Sequence, residues 1–336
     1  MANELQNHRR LRTESDTMSK LAVPAAFSRA AALRIGGAAV LAAATQPGRA
    51  FAQSAPVRYA ASPAATQAEA YYAEQLGFFK QAGISTIGTI VARGAAAVSG
   101  VISGDYDIGS STPPSIASAI VHGIPLRVIA PGPVYVDPPP FQLFVAKDSP
   151  IRTARDLMNS TIAVQTLNDD QGLGILAWLD QNHVDTTKVK FIEMTFPTMP
   201  AALTRGEIAA AMIVEPFISA NKDVLRAIPR VYDSLGQRWA YGAWFARQDF
   251  IDKNPALVKA IATALYATAK HVNANQSEID PLLAAYSKVT VDTARSTVKP
   301  VFAEMLEPSN FVPQLQVALK FKMLPRAVTL QEFLAK

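Results

Sequence analysis

The feature that most constrains this chain is a repeated change of hydrophobic period along it. Short runs rich in Val, Ile, Tyr and Thr fall at 57–61, 85–92, 106–110 and 126–130. Between them, at 67–81, 95–103 and 114–122, apolar residues recur at helical spacing. Strands alternating with helices predict a parallel sheet covered by helices. The pattern stops at 131–140, where five of ten residues are proline. Proline fixes φ and donates no hydrogen bond, so this stretch reads as an extended linker. Then the alternation restarts, with strands expected at 142–146, 161–165, 188–194, 209–214 and 230–232, and helices at 154–158, 172–182, 199–204 and 217–225. One more strand is expected at 241–246, and only helices beyond residue 254, at 255–273, 279–287, 291–306 and 311–321. These C-terminal helices bring no sheet of their own. They are expected to return to the first unit, which makes the second unit an insertion between two crossings and lets the chain close like a clam.

Length and composition agree with two packed α/β units. At 336 residues, with 49% hydrophobic and 18% charged residues and no cysteine, the chain can bury a sizeable core. The missing cysteine excludes disulfides, thiolate zinc sites and a thiol nucleophile. The net charge of +5 does not argue for nucleic acid. Seven of the 32 basic and three of the 27 acidic residues lie in the first 52, leaving 25 against 24 in the rest.

That basic start has the parts of an export signal. Arg29 and Arg34 precede a ten-residue apolar run at 35–44, and Ala50-Phe51-Ala52 supplies small residues for cleavage. Residues 1–52 are therefore expected to be a signal peptide cleaved after Ala52, leaving a periplasmic protein that begins at Gln53. Ten apolar residues fall short of the roughly 20 needed to span a bilayer. Met18 competes with Met1 as the start. Arg9-Arg10 lies too far from the apolar run to settle the export route.

In open α/β sheets, ligands sit beyond the carboxyl ends of strands, where helix starts present unpaired N–H groups. Reading those loops gives the candidate ligand-binding residues Ser62, Thr66, Arg93, Ser110, Ser111, Thr112, Gln165, Thr166, Asn168, Glu215 and Trp239. Several of them carry two readings. Ser111 and Thr112, just before Pro113-Pro114, suit both helix capping and contact with an oxyanion. Asp169 and Asp170 suit a helix dipole. Glu215 suits either a ligand amine or a helix start. Arg93 suits bidentate contact with a sulfonate or carboxylate, or plain solvent exposure. Trp239 and Tyr241 suit an aromatic wall or packing between the units. With one candidate cation beside several acids, the ligand's charge stays open.

Catalysis finds little support. The four histidines form no metal spacing, and no GxSxG elbow occurs. The SxxK match at Ser219 to Lys222 lacks its companion motifs, and the Gly172 to Gly174 pair lacks the third glycine of a nucleotide loop. Neither a cofactor nor a metal is expected.

Four phrases carry a family resemblance: YAEQLGFFKQAGI at 72–84, AVSGVISGDYDIG at 97–109, KDSPIRTARDL at 147–157 and AALTRGEIAAAMIVEP at 201–216. In this order they resemble periplasmic substrate-binding proteins of ABC importers of the nitrate, sulfonate and taurine type. Two departures stand out. Ala209 or Ala210 replaces an aspartate usual in that family, and Asn159 stands where a glycine is expected; Asn tolerates the same left-handed backbone.

The resemblance implies a two-lobed type II periplasmic-binding-protein fold, two α/β domains joined by two crossover segments. Lobe 1 would comprise 53–137 plus 240–336, and lobe 2 would comprise 138–239. It implies a monomeric extracytoplasmic protein that captures a sulfonate, nitrate, small organic acid or pyrimidine-like molecule. The ligand would pass to an ABC permease in the inner membrane, with no nucleic-acid partner. The rival is an exported enzyme of the same fold acting on a small aromatic or pyrimidine metabolite. Thiamine-pyrimidine synthases related to the family use a cysteine-rich segment that this chain lacks.

Overall fold

The computed structural model describes residues 55–167 and 169–335. The expected signal peptide, its cleavage point after Ala52, and Asn168 lie outside the described residues.

Twelve strands form the described framework: β1 (Val57–Ala61), β2 (Thr86–Ile90), β3 (Ile108–Ser111), β4 (Leu126–Pro131), β5 (Pro133–Val134), β6 (Phe141–Ala146), β7 (Thr161–Val164), β8 (Lys190–Glu193), β9 (Ala210–Val214), β10 (Leu225–Ile228), β11 (Ala243–Arg247) and β12 (Val301–Phe302). The helices are α1 (Glu69–Gln75), α2 (Phe78–Gln81), α3 (Gly94–Ser103), α4 (Pro113–Val121), α5 (Asp170–Gln181), α6 (Met199–Thr204), α7 (Gln248–Lys253), α8 (Pro255–Ala274), α9 (Asp280–Ser287), α10 (Val291–Ser296), α11 (Val312–Lys320) and α12 (Leu330–Phe333).

Two five-stranded sheets share one topology. The first runs β2-β1-β3-β11-β4 and the second, read from its opposite edge, β8-β7-β9-β6-β10. In each, the strand next to the last is an intruder that has just crossed, or is about to cross, between the lobes. It runs antiparallel to both neighbours: β11 to β3 and β4, and β6 to β9 and β10. The sheets are therefore mixed, a correction to the expectation of a purely parallel one. A βαβ connection returns the chain in the same direction, but β6 and β11 each adjoin an interlobe crossing, so nothing forces them into that sense.

β11 shows how sequence alternation builds the first lobe. Its residues face opposite sides in turn. Ala243 and Phe245 pack with Val98 and Val101 of α3 and Ile116 of α4, whereas Trp244 and Ala246 pack with Ala70 of α1 and Ile261 and Leu265 of α8. The second lobe closes on Leu143, Ile162, Val164, Ile175, Leu179, Met199 and Leu203. Asp169 caps α5, its Oδ1 accepting from the Gln171 and Gly172 amides at 3.0 and 3.4 Å. Asn159 takes the left-handed conformation, φ 62°.

The proline-rich linker is extended as expected, but it is also paired. Tyr135 N donates to Trp239 O at 2.7 Å and Tyr241 N to Pro133 O at 3.1 Å, so the two crossings lie side by side. β12 adds to β5 as a further strand, which the all-helical expectation for the tail had not included. Other expectations change locally. The helix at 67–81 breaks at Gly77, which sits at φ 81° between α1 and α2. The helix expected at 217–225 is a short 3-10 turn (Ser219–Asn221) followed by β10, and the strand expected at 230–232 belongs to a 3-10 helix (Val231–Leu235). The tail packs on the first lobe, α8 and α9 against α1 and α11 against α4, and also reaches the second, where Lys320 meets Asp180 at 2.7 Å.

Candidate functional site

The carboxyl ends of β1, β3, β7 and β9 converge on one cavity, which the two crossings close at the back. It encloses about 500 Å³ of atom-free space including its mouth. The first lobe contributes Ser62, Ala64, Thr66 and Gln67 beyond β1, Gly94 and Ala95 at the start of α3, and Ser111, Thr112 and Ser115 at the junction of β3 and α4. The second contributes Phe141, Gln165, Thr166, Asp169, Asp170, Gln171, Phe196, Met212 and Val214, while Tyr241 comes from the crossing. This is the place that open α/β sheets offer a ligand, at strand ends where the connections diverge.

Six of the candidate residues read from the sequence line the cavity: Ser62, Thr66, Ser111, Thr112, Gln165 and Thr166. Thr112 occupies the N-cap position of α4 without an amide bond from its side chain, and its Oγ1 instead meets Ser115 Oγ at 3.0 Å. Gly94 sets the width here. A Cβ added to it would lie 2.8 Å from Ser111 Oγ, so any larger residue would force that hydroxyl to turn away from its present place in the wall.

Four candidates lie elsewhere. Arg93 is turned to the rim and bonded to Glu193 of the second lobe, whose other oxygen accepts from Leu167 N at 2.9 Å. Ser110 is buried on the face of β3 opposite Ser111, as strand alternation requires. Glu215 is occupied: its carboxylate accepts from Ser219 N at 3.0 Å, Ser219 Oγ at 2.9 Å and Val298 N at 3.3 Å. Burial raises its pKa despite these bonds. Trp239 is fully buried, stacked on Tyr135 with centroids 5.3 Å apart. Of the two aromatics considered for a wall, Tyr241 is the one that lines the cavity.

The lobes also meet around the cavity. Gln165 Nε2 donates to Ala92 O at 3.3 Å, Ala65 N donates to Glu215 O at 3.0 Å, and the Arg93–Glu193 pair bridges the rim. These contacts join the lobes beside the Val298 N to Glu215 bond given above.

The cavity is acidic. Asp169 and Asp170 are 2% and 4% exposed, and neither Lys nor Arg lines the space among the described residues. Burial, opposed by the Gly172 and Gln171 amides, pushes Asp169 up to about 8. Burial, and then the neighbouring Asp169, push Asp170 well above the usual carboxylate range. Among the described residues no group of three or more His, Cys, Asp or Glu side chains could hold a metal ion, and no helix is long and apolar enough to cross a membrane. Sequence reading missed Gln67, Ser115, Phe141, Phe196, Met212 and Val214. Only the placement of Phe141 at a crossing gave any signal, since an apolar lining residue looks like a core residue.

Known proteins resemble this chain in three ways. The taurine-binding periplasmic protein of Escherichia coli is 27% identical over 190 residues, covering 55% of this chain and 57% of that protein's length. The alkanesulfonate-binding protein SsuA from Xanthomonas axonopodis pv. citri superposes with a TM-score of 0.71 at 17% identity, over 83% of this chain and 98% of that one. The desulfurization enzyme DSZB superposes with a TM-score of 0.61 at 16% identity, over 84% and 96%. At such identities the superpositions establish the two-lobed periplasmic-binding-protein fold alone, and that fold carries both a binding protein and an enzyme. A family model described as NMT1/THI5 like matches residues 65–279, nearly two thirds of the chain, and this protein belongs to that family.

Proposed function

We propose that this protein is an extracytoplasmic solute-binding protein. It captures a small molecule in the interlobe cavity and passes it unchanged to an ABC permease in the inner membrane. The observation that carries this reading is the small, enclosed cavity formed jointly by two lobes on paired crossings, with hydrogen-bonding groups from both lobes in its wall. The working form is a monomer exported by cleavage after Ala52, with lobes at 53–137 plus 240–336 and at 138–239. A guest that bonds Ser62, Thr66, Ser111 or Thr112 on one side and Gln165 or Thr166 on the other has those partners together only when the lobes are closed. Such a guest drives closure through its differential affinity for the two forms.

One observation favours a second reading. A buried carboxyl held near pH 8, as Asp169 is, has the character of a general acid or base. One experiment separates the two readings. The protein is purified under mild conditions, weighed intact by native mass spectrometry and then denatured to release its guest. Reincubation of that compound with fresh protein should return it at the same mass. A converted product refutes capture in favour of an enzyme, and the absence of any bound compound removes the support for both.

A further inference from the structure

Three polar atoms in the cavity wall have no hydrogen-bond partner among the described residues: Gln67 Oε1, Ser111 Oγ and Tyr241 OH. Their residues are 9%, 1% and 5% exposed, and they come from three separate segments of the chain. Buried polar groups are as a rule hydrogen-bonded, so three orphans around one small space point to a guest that completes them. Gln67 Oε1 is an acceptor, and hydroxyls such as those of Ser111 and Tyr241 accept as well as donate.

The second lobe sets the sign of the guest. Asp169 commits Oδ1 to the cap of α5, and the Asp170 side chain lies buried beside it in the cavity wall. No described lining residue carries a positive charge to offset them. The single arginine near the mouth is paired with Glu193. A sulfonate or nitrate brings oxygens that only accept, and it would meet hydroxyl donors here but also two carboxyls that its charge keeps from ionising. Among the described lining residues an anion finds no Lys or Arg to pair with, whereas a cation finds two carboxyls. Phe141 and Phe196 add apolar aromatic surface to the same wall.

We propose that the guest is a small organic cation with a flat body and at least two N–H donors, of the amidine, guanidine or protonated ring-amine class. Its charge faces Asp169 and Asp170 while an N–H meets Gln67 Oε1. This rests on the solute-binding reading and names the ligand class of the same cavity. It also accounts for two buried carboxyls side by side, which are costly to ionise when the cavity is empty and regain their charge beside a cation.

The test varies charge at constant shape. Thermal melts of the purified protein and titrations are run with benzamidine, benzamide, benzoate and benzenesulfonate. Benzamidine should stabilise the fold and bind about 100-fold more tightly than benzoate, the scale expected when a like-charge contact replaces an opposite-charge one. In Asp170→Asn the ratio of benzamidine to benzoate affinity should fall by at least tenfold, and an unchanged ratio overturns the assignment. Because the comparison is made first on the unaltered protein, a variant that fails to fold does not remove the test. Tighter binding of either anion overturns the cation assignment and leaves capture standing. A panel without any shift also overturns it, and capture is then judged by the co-purified guest, whose recovery does not depend on its charge.

Discussion

Replacing Glu69 with glutamine should turn a pH-dependent weakness of the fold into a pH-independent one. Glu69 opens α1 beneath the first sheet and is 1% exposed. Trp244 Nε1 donates to its Oε2 at 2.7 Å, while Oε1 has no partner among the described residues. Burial, only partly opposed by the tryptophan bond, raises the carboxyl from 4.5 to about 8. A group whose pKa rises on folding gives stability that is complete below its unfolded value and is lost as pH climbs through its folded value. At about 1.4 kcal/mol per pH unit, the loss between pH 4.5 and 8 is about 5 kcal/mol at most, and about 3 kcal/mol once local relaxation is allowed for.

Glutamine keeps an acceptor for Trp244 and cannot ionise. Tyr266, which feels the Glu69 charge, has its pKa raised above 10 by burial and stays protonated across the range. Urea unfolding of both proteins from pH 5 to 9 isolates the effect, because Asp169 and Asp170 act equally in each. At pH 5 the two should agree within about 1 kcal/mol, the scale of one unbonded amide hydrogen. By pH 9 Glu69→Gln should be more stable by about 3 kcal/mol. Curves that run parallel, or a wild type that is the more stable at pH 9, refute this account of Glu69.

The remaining predictions concern closure, the cavity and the tail. Arg93→Ala removes a half-exposed rim pair and should weaken ligand binding by no more than about 1 kcal/mol; a loss several times larger in calorimetry would show that the guanidinium touches the guest. Gly94→Val places side-chain atoms against Ser111 Oγ and into the cavity. It should abolish binding while circular dichroism stays native, and retained affinity would mean that the guest sits elsewhere. Lys299 and Asp280 form a buried pair at 2.8 Å, with side chains 6% and 9% exposed. Breaking it by Lys299→Met leaves a buried carboxylate unpaired and should cost about 3 to 5 kcal/mol of stability by denaturant titration.

What the sequence revealed, and what it hid, follows from the range of each interaction. β1 and α6 lie where local periodicity put them, because their apolar residues face one core. The direction of β6 and β11 was hidden, since alternation separates strand from helix and carries no sense of direction. The 217–225 and 230–232 segments were misjudged because short apolar runs suit a helix turn and a strand equally. Ser111, Thr112, Gln165 and Thr166 were legible as polar residues between a strand and a helix start, a place that points at the cleft in this architecture. Arg93 and Trp239 were not, because Glu193 lies 100 residues from the arginine and Tyr135 about as far from the tryptophan. Ser110 and Ser111 differ only in the face of β3, which the sequence leaves undecided until the sheet is known.

The central claim is that the lobes close over a guest held between them, and a distance across the cleft tests it most directly. The chain has no cysteine, so Ile90→Cys, the exposed last residue of β2 in the first lobe, and Thr198→Cys beside Phe196 of the second can carry a unique pair of spin labels. With the co-purified compound present, the label distances should collapse to one short, narrow population. After its removal they should lengthen and broaden. A distribution indifferent to the compound would contradict capture by closure.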